Sequence, residues 1–435
     1  METNTYAKSA FSIFKISRSS AVFLLFALAI FTLLLSASCG TSAKQPVSET
    51  DIVSDSQPIV LPVDVSLSDL EMEVGVCTVH SLTAEGGEAI QWRSSDDSVA
   101  TVDATGTVTG IGVGECEVTA ENEFGRTASC HVTVKKSVFI TIDDGPYKQC
   151  AAILKKLKKH DVKATFFVVE TYNIAILKDM HKDGHYVGLH TYTHDFSKCY
   201  KTEYSYFAGL EKLKDLVEKY TGYRPNIIRF PGGTSNTVMD MVGMRRMVNG
   251  ADDLGYRVFD WSVSSGDASK NVVSAQQVSY NVLRSCFHDV EIVLMHDKDT
   301  TPKALDLIIP TLKNRGYVFE TLDHYAENSY RTQTWYEKSR GEDTFPCEEL
   351  KLNKESVQLT EKETTTLSAT RKPKKSTDYI RFVSDDPAVA SVTLEGVITG
   401  NKPGTTNIRA IASSGVEAVC VVTVTPSAES GTASE

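Results

Sequence analysis

Two hydropathy patterns divide the chain. From Ile59 to about Lys135, short runs alternate apolar and polar positions, as in Ala89-Ile-Gln-Trp92, Ala100-Thr-Val102, Thr107-Val-Thr109 and His131-Val-Thr-Val134, with glycines between them. Successive side chains on a strand face opposite ways, so this period of two predicts half-buried strands, and many at short spacing predict an all-β sandwich. The middle of the chain reads differently. Apolar strand candidates at Val138–Ile142, Ala164–Val169, Tyr186–Leu189, Ile227–Phe230, Arg257–Trp261, Ile292–Met295 and Tyr317–Glu320 are separated by helical periods, notably Ala151–Lys159, Phe207–Tyr220, Ala275–Cys286 and Pro302–Arg315. Strands alternating with helices predict a parallel sheet, most simply a barrel, whose reactive groups gather where strands end.

The alternating text returns near the carboxyl end. Ser95-Asp-Asp-Ser-Val-Ala-Thr-Val102 is echoed by Ser384-Asp-Asp-Pro-Ala-Val-Ala-Ser-Val392 with one inserted residue. Gly106, Gly110 and Gly114 correspond to Gly396, Gly400 and Gly404, and Cys130-His-Val-Thr-Val134 corresponds to Cys420-Val-Val-Thr-Val424. Self-similarity of this kind marks a duplicated unit. On these residues both copies resemble the group 2 bacterial immunoglobulin-like domain, over residues 59–135 and 346–426. The resemblance implies structural modules that serve as spacers or adhesive elements on exported proteins.

Composition sets the outer bounds. At 435 residues the chain exceeds one ordinary domain of roughly 150 residues. A formal charge of −11 without a clustered basic face excludes a nucleic-acid footprint. Lys8, Lys15 and Arg18 precede an uncharged run from Ala21 to Leu35 and then Ser36-Ala37-Ser38-Cys39-Gly40, the layout of an export signal and short of the about 20 apolar residues that span a membrane. The segment resembles a bacterial lipoprotein signal, with Ser36 where leucine is usual. That implies Cys39 as the lipidated first residue of an exported protein anchored at the outer face of the cytoplasmic membrane or the cell surface. Residues 40–58, rich in Ser, Thr, Pro and acids, are expected to form a tether, with a second linker at 326–345 and a tail at 427–435. The remaining cysteines form no Cys-x-x-Cys pair, which argues against a thiolate zinc site, and Cys130 and Cys420 read as buried free thiols.

Ionisable residues recur just after the middle strands. Asp143-Asp144-Gly145-Pro146 follows the first, and the Gly-Pro turn is expected to break strand alternation so that both acids face one mouth. His190-Thr-Tyr-Thr-His194 follows Leu189. Histidines four apart share one face of a helical turn, a spacing that lets two imidazoles grip one cation, with an acid from another strand end as third ligand. Arg229-Phe-Pro-Gly-Gly233 follows Ile228, Asp260-Trp261-Ser262 precedes Asp267, and Leu294-Met-His-Asp297 ends a further apolar run. Taken singly, these are an ordinary turn, surface histidines, a salt-bridged arginine and a satisfied near-core histidine.

Jointly and in this order, the stretches resemble the polysaccharide deacetylase domain of carbohydrate esterase family 4, over residues 137–325. The family's Thr-Phe-Asp-Asp-Gly-Pro stands here as Thr141-Ile142-Asp143-Asp144-Gly145-Pro146, and its His-Ser/Thr-x-x-His motif is complete. The resemblance implies a multidomain protein, a distorted (β/α)7 barrel flanked by two all-β immunoglobulin-like sandwiches. It implies Asp143 as general base, oriented by Arg229, and Asp144, His190 and His194 as ligands of a divalent metal, with N and O donors favouring Zn2+. His296 is implied as general acid held by Asp267, the Gly232 N–H as oxyanion donor, and Leu294 as a substrate contact. Two family aromatics are missing, at Gly232 and Ala268. The implied activity is metal-dependent removal of acetyl groups from an exported or cell-wall polysaccharide, chiefly N-acetylglucosamine units of peptidoglycan. Xylan or chitin oligomers are alternative substrates, and a surface glycan-binding protein with an inactive deacetylase domain is the alternative from another class.

Overall fold

The computed structural model describes residues 63–269, 271, 273–326 and 345–427. The export segment with Cys39, the tether, most of the 326–345 linker and most of the tail lie outside the described residues.

The two flanking domains repeat one another strand for strand. Ile90–Ser94, Ala100–Val102, Thr107–Gly110 and Gly114–Asn122 in the first match Ile380–Ser384, Ala390–Val392, Val397–Gly400 and Gly404–Ala412 in the second. Burial alternates along them, as expected of strands with one face on a core. Gly106 and Gly396 recur because both take left-handed φ, 82° and 79°. A Cβ at either would sit 2.2 Å from a carbonyl oxygen, that of Leu82 or of Leu367. Cys130 and Cys420 are fully buried, and among the described residues no cysteine is bridged.

In the middle, parallel strands run in the order Arg257–Val258, Ile227–Ile228, Tyr186–Leu189, Thr165–Val168, Thr127–Asp143, Val290–His296 and Val263–Ser264. Tyr317–Phe319 adds beside the lower part of Thr127–Asp143. No described ladder joins the two terminal strands, so the path stays open between Val258 and Val263. Several predicted strands shorten, Ile227–Phe230 and Arg257–Trp261 to two residues each. The two-residue Val263–Ser264 was not predicted, being too short to show a period. The four predicted helices are present within a few residues as Cys150–Lys159, Glu203–Thr221, Ala275–Ser285 and Thr301–Asn314. A further one, Met241–Asp253, was hidden by its glycines, Gly243 and Gly250.

Thr127–Asp143 belongs to both kinds of sheet. Its first half pairs antiparallel with Gly114–Asn122 and parallel with Glu71–Gly75 in the immunoglobulin-like domain. Its second half pairs in parallel with Val290–His296 in the central domain. Burial along it changes accordingly, alternating up to Val134 and continuous from Val138 to Asp143, because helices cover its outer face and a second apolar cluster fills the inner one. The two domains therefore share one eleven-stranded sheet. The second immunoglobulin-like domain docks through side chains: Tyr379 is fully buried against Phe207 and Tyr204, Arg371 pairs with Glu203, and Arg246 donates to the carbonyls of Ser376 and Lys374.

Candidate active site

Strand alternation aims the site. Val138, Ile140 and Ile142 pack under the helices, whereas Phe139 turns inward to a cluster with Phe167, Ile227, Phe259, Ile292, Leu322 and Tyr325. Thr141 and Asp143 share the parity of Phe139 and continue the inner face; Arg229 does so after Ile227, and Leu294 and His296 after Ile292. The inner apolar cluster is thus the floor on which the ionisable groups stand. Strand register brings His296 directly opposite Asp143 and Leu294 opposite Thr141.

Arg229 is fully buried and makes four hydrogen bonds through all three nitrogens of its planar fork. Nη1 donates to Asp143 Oδ1 at 2.8 Å and to Thr141 Oγ1 at 2.6 Å. Nε donates to the Phe259 carbonyl and Nη2 to that of Asp260, both at 2.9 Å. The guanidinium stacks 4.2 Å above the Phe167 ring centroid. Asp143 is 3% exposed, so its charge is balanced by this arginine in a largely dry setting.

Asp144 leaves strand geometry. Its φ of 71° is left-handed, so the break in alternation lies at the second acid itself and not only in the Gly-Pro turn. Asp297 fixes the loop beyond it, accepting from the Tyr147 N–H at 2.5 Å and the Gln149 N–H at 3.0 Å. Asp144 Oδ1 lies 3.4 Å from His190 Nε2 and 3.1 Å from His194 Nε2. Burial works to raise the Asp144 carboxyl, but the neighbouring His190 outweighs it, with His194 and His296 adding, and the group is held well below the usual carboxylate range.

The two histidines meet without a helix. Residues 190–195 are irregular, His194 has a φ of 46°, and the helix Phe196–Cys199 begins only after Asp195, which caps it by accepting from the Ser197 N–H at 3.0 Å. The expected helical face is therefore replaced by a loop that bends the second imidazole back, ring centroids 5.2 Å apart. His190 Nδ1 donates to the Arg229 carbonyl at 2.7 Å, which leaves Nε2 with its lone pair toward Asp144. Among the described residues Asp144 Oδ1 is buried without a hydrogen-bond partner, and the three donor atoms lie within 4.8 Å of one another. An orphaned carboxylate oxygen facing two imidazole nitrogens fits an N/O-ligated divalent cation.

Across the mouth, His296 Nδ1 bonds Asp267 Oδ1 at 2.7 Å, and Asp267 Oδ2 accepts from the His296 backbone N–H at 2.8 Å. Burial works to lower the His296 imidazole, but the Asp267 hydrogen bond and then the charge of Asp143 overcome it and raise the group. Gly232 is exposed, with a φ of 75°, in a loop held by Tyr200 O–H on the Pro231 carbonyl and by the Gly233 N–H on that of Phe230, each at 2.8 Å. A Cβ at Gly232 would lie 3.7 Å from the ring of Phe196, which also packs edge-on to His194. An aromatic from another element thus borders the place where the usual ring is missing.

All the site residues expected from the sequence between Asp143 and His296 meet at one mouth; Cys39 lies outside the described residues. Thr141, Phe196 and Asp297 had been given no role. Thr141 alone carried a signal, as a polar residue inside an apolar run.

A family model for polysaccharide deacetylase matches residues 131–259, and one for the bacterial Ig-like domain (group 2) matches residues 65–132 and 347–423. A peptidoglycan-N-acetylglucosamine deacetylase of Bacillus cereus is 33% identical over 227 residues, 49% of this chain and 80% of that protein. A peptidoglycan-N-acetylglucosamine deacetylase of Listeria monocytogenes is 32% identical over 47% of this chain and 42% of its own length. The solved catalytic domain of a peptidoglycan N-acetylglucosamine deacetylase from Eubacterium rectale is 37% identical, with a TM-score of 0.42 over 43% of this chain and 89% of that one. The matched span of the deacetylase model stops at residue 259, yet strand pairing carries His296 back to Asp143. With two group 2 bacterial immunoglobulin-like domains flanking its catalytic domain, the chain belongs to the polysaccharide deacetylase family, hydrolases that remove acetyl groups from polysaccharides.

Proposed function

We propose that this protein hydrolyses the N-acetyl groups of N-acetylglucosamine units in peptidoglycan, with a divalent cation, zinc, held by Asp144, His190 and His194. The observation that carries this reading is the position of two hydrogen-bonded pairs, Arg229–Asp143 and Asp267–His296, on facing ends of adjacent strands beside that donor set. The B. cereus and L. monocytogenes relatives bear that substrate in their names. The central sheet is read as a distorted (β/α)7 barrel, with residues 259–262 spanning its open seam.

When bound, the cation supplies Lewis-acid polarisation at the mouth. Asp143, paired with and aimed by Arg229, takes the proton of the attacking water. The exposed Gly232 N–H donates to the oxygen that becomes negative as the acetyl carbon turns tetrahedral. His296, with Nδ1 committed to Asp267, presents Nε2 and delivers a proton to the departing amine. Base and acid are thus separate groups, each with its own orienting partner. Cys39 is read as the lipidated residue that anchors the exported protein at the outer face of the membrane or the cell surface.

Mass spectrometry of peptidoglycan fragments and chitooligosaccharides after incubation tests the reading, with loss of acetyl groups from the former expected. Asp143→Asn and His296→Ala are each expected to slow acetate release by about 10²–10⁴-fold. Near-normal turnover in either variant would refute the roles given to them.

A further inference from the structure

A second set of two imidazoles and one carboxylate stands away from the mouth. His80 lies on strand Val79–Ser81 of the first immunoglobulin-like domain, Glu320 directly follows strand Tyr317–Phe319, and His324 ends the short 3-10 turn Leu322–His324. His80 Nε2 is 3.1 Å from Glu320 Oε1, and His324 Nδ1 is 2.9 Å from Glu320 Oε2. The imidazole centroids are 5.0 Å apart, and one donor atom from each residue falls within 4.8 Å of the others. We propose that His80, Glu320 and His324 bind a divalent cation of the zinc class that clamps the first immunoglobulin-like domain to the base of the catalytic domain.

Several observations carry this beyond a chance ion pair. The Glu320 side chain is only 12% exposed, and among the described residues its oxygens meet imidazoles alone, without a lysine or arginine to balance the charge. Burying a carboxylate in that way is costly unless a cation shares the site. The donors are preorganised by backbone: Thr78 and Tyr325 form an antiparallel bridge, and the Ala326 N–H donates to the Cys77 carbonyl at 2.9 Å. Antiparallel register carries His80, two residues beyond Thr78, into line with the turn that holds His324. The two imidazole–carboxylate separations, one to each Glu320 oxygen, lie within a few tenths of an ångström of the about 3.3 Å between ligands of a tetrahedral zinc ion, so side-chain rotations suffice to bring one oxygen and both imidazoles to a cation. His324 is 44% exposed and borders a cleft of about 440 Å³, which gives the ion a path and leaves room for a water as fourth ligand.

The site is separate from the catalytic one. The Glu320 N–H bonds the Val138 carbonyl, and Val138 precedes Asp143 by five residues on one strand, roughly 16 Å at strand rise. The proposal therefore stands on its own residues and does not rest on the function proposed above.

Zinc content of the full chain, stripped with chelator, reloaded and desalted, decides the matter. Two ions per chain are expected in the parent, falling to one in His80→Ala and in Glu320→Gln, both of which retain acetate release. The combined Asp144→Asn, His190→Ala protein is expected to keep one ion and to melt at higher temperature with zinc than without, a shift lost on adding His80→Ala. His324→Gln, at the most exposed of the three positions, gives the same readout where a buried substitution disturbs folding. A single ion in the parent that disappears in the Asp144→Asn, His190→Ala protein overturns the second site and leaves the catalytic one standing. A single ion that survives there and is lost in His80→Ala supports the second site and refutes the first. Two ions retained in His80→Ala, Glu320→Gln and His324→Gln also overturn the proposal.

Discussion

At the scale of single residues, most of the site's precision comes from acceptors that hold a cationic or acidic group in place. Asp267 engages His296 twice, at Nδ1 and at the backbone N–H, and helps raise the imidazole. A raised acid stays protonated to higher pH, so activity that needs protonated His296 is present below its pKa and lost as pH rises through it. Asp267→Asn removes the negative partner. It should move the alkaline limb of the kcat/KM profile to lower pH, a shift that a merely structural role would not produce. Arg229→Met would leave the 3% exposed Asp143 without its cation. A buried charge stripped of its partner costs about 3–5 kcal/mol, which should appear as a lower denaturation midpoint in urea. Asp143, Asp144, His190, His194, Arg229 and His296 were legible in the sequence because they lie at or just after the end of an apolar run, whereas Asp267, six residues past Trp261, was reached only through the family resemblance. Asp297 was not, since its partners Tyr147 and Gln149 lie about 150 positions away and only the fold joins them. Phe196 was missed for a similar reason: its relation to Gly232 depends on the bend at His194.

At the scale of elements, periodicity located those long enough to display it. Two-residue strands such as Val263–Ser264 have too few positions for a pattern, and Met241–Asp253 carries glycines that count against a helix. Gly250 has a packing reason. A Cβ there would lie 2.6 Å from Cδ2 and 2.8 Å from Cγ of Tyr379, the ring through which the second immunoglobulin-like domain enters the core of the catalytic domain. Glycine to alanine in a helix ordinarily gains about 1 kcal/mol. Here the overlap should reverse the sign, and Gly250→Ala is expected to lose about 1–3 kcal/mol, read as a lower melting temperature. The histidine pair shows the opposite limit of pattern reading: its spacing suggested a helical face, and the same proximity is reached through a left-handed residue in a loop.

At the scale of the whole molecule, the repeated outer units and the distinct centre were both visible as changes of hydropathy period, whereas their fusion was not. A strand that changes from alternating to continuous burial near Lys135 reads in sequence as two strands. Because the sheet is common, the first immunoglobulin-like domain and the catalytic domain should unfold in one calorimetric transition, and a separate early transition for the former would contradict the shared sheet. The same strand has a mechanical meaning. A pull on the amino end of Thr127–Asp143 runs along the ladder that joins Ser137–Asp143 to Val290–His296, loading those hydrogen bonds in shear so that they resist together and do not unzip one by one. Asp143 and His296 sit at the far end of that ladder, so tension entering through the outer domain reaches the proposed base and the proposed acid last.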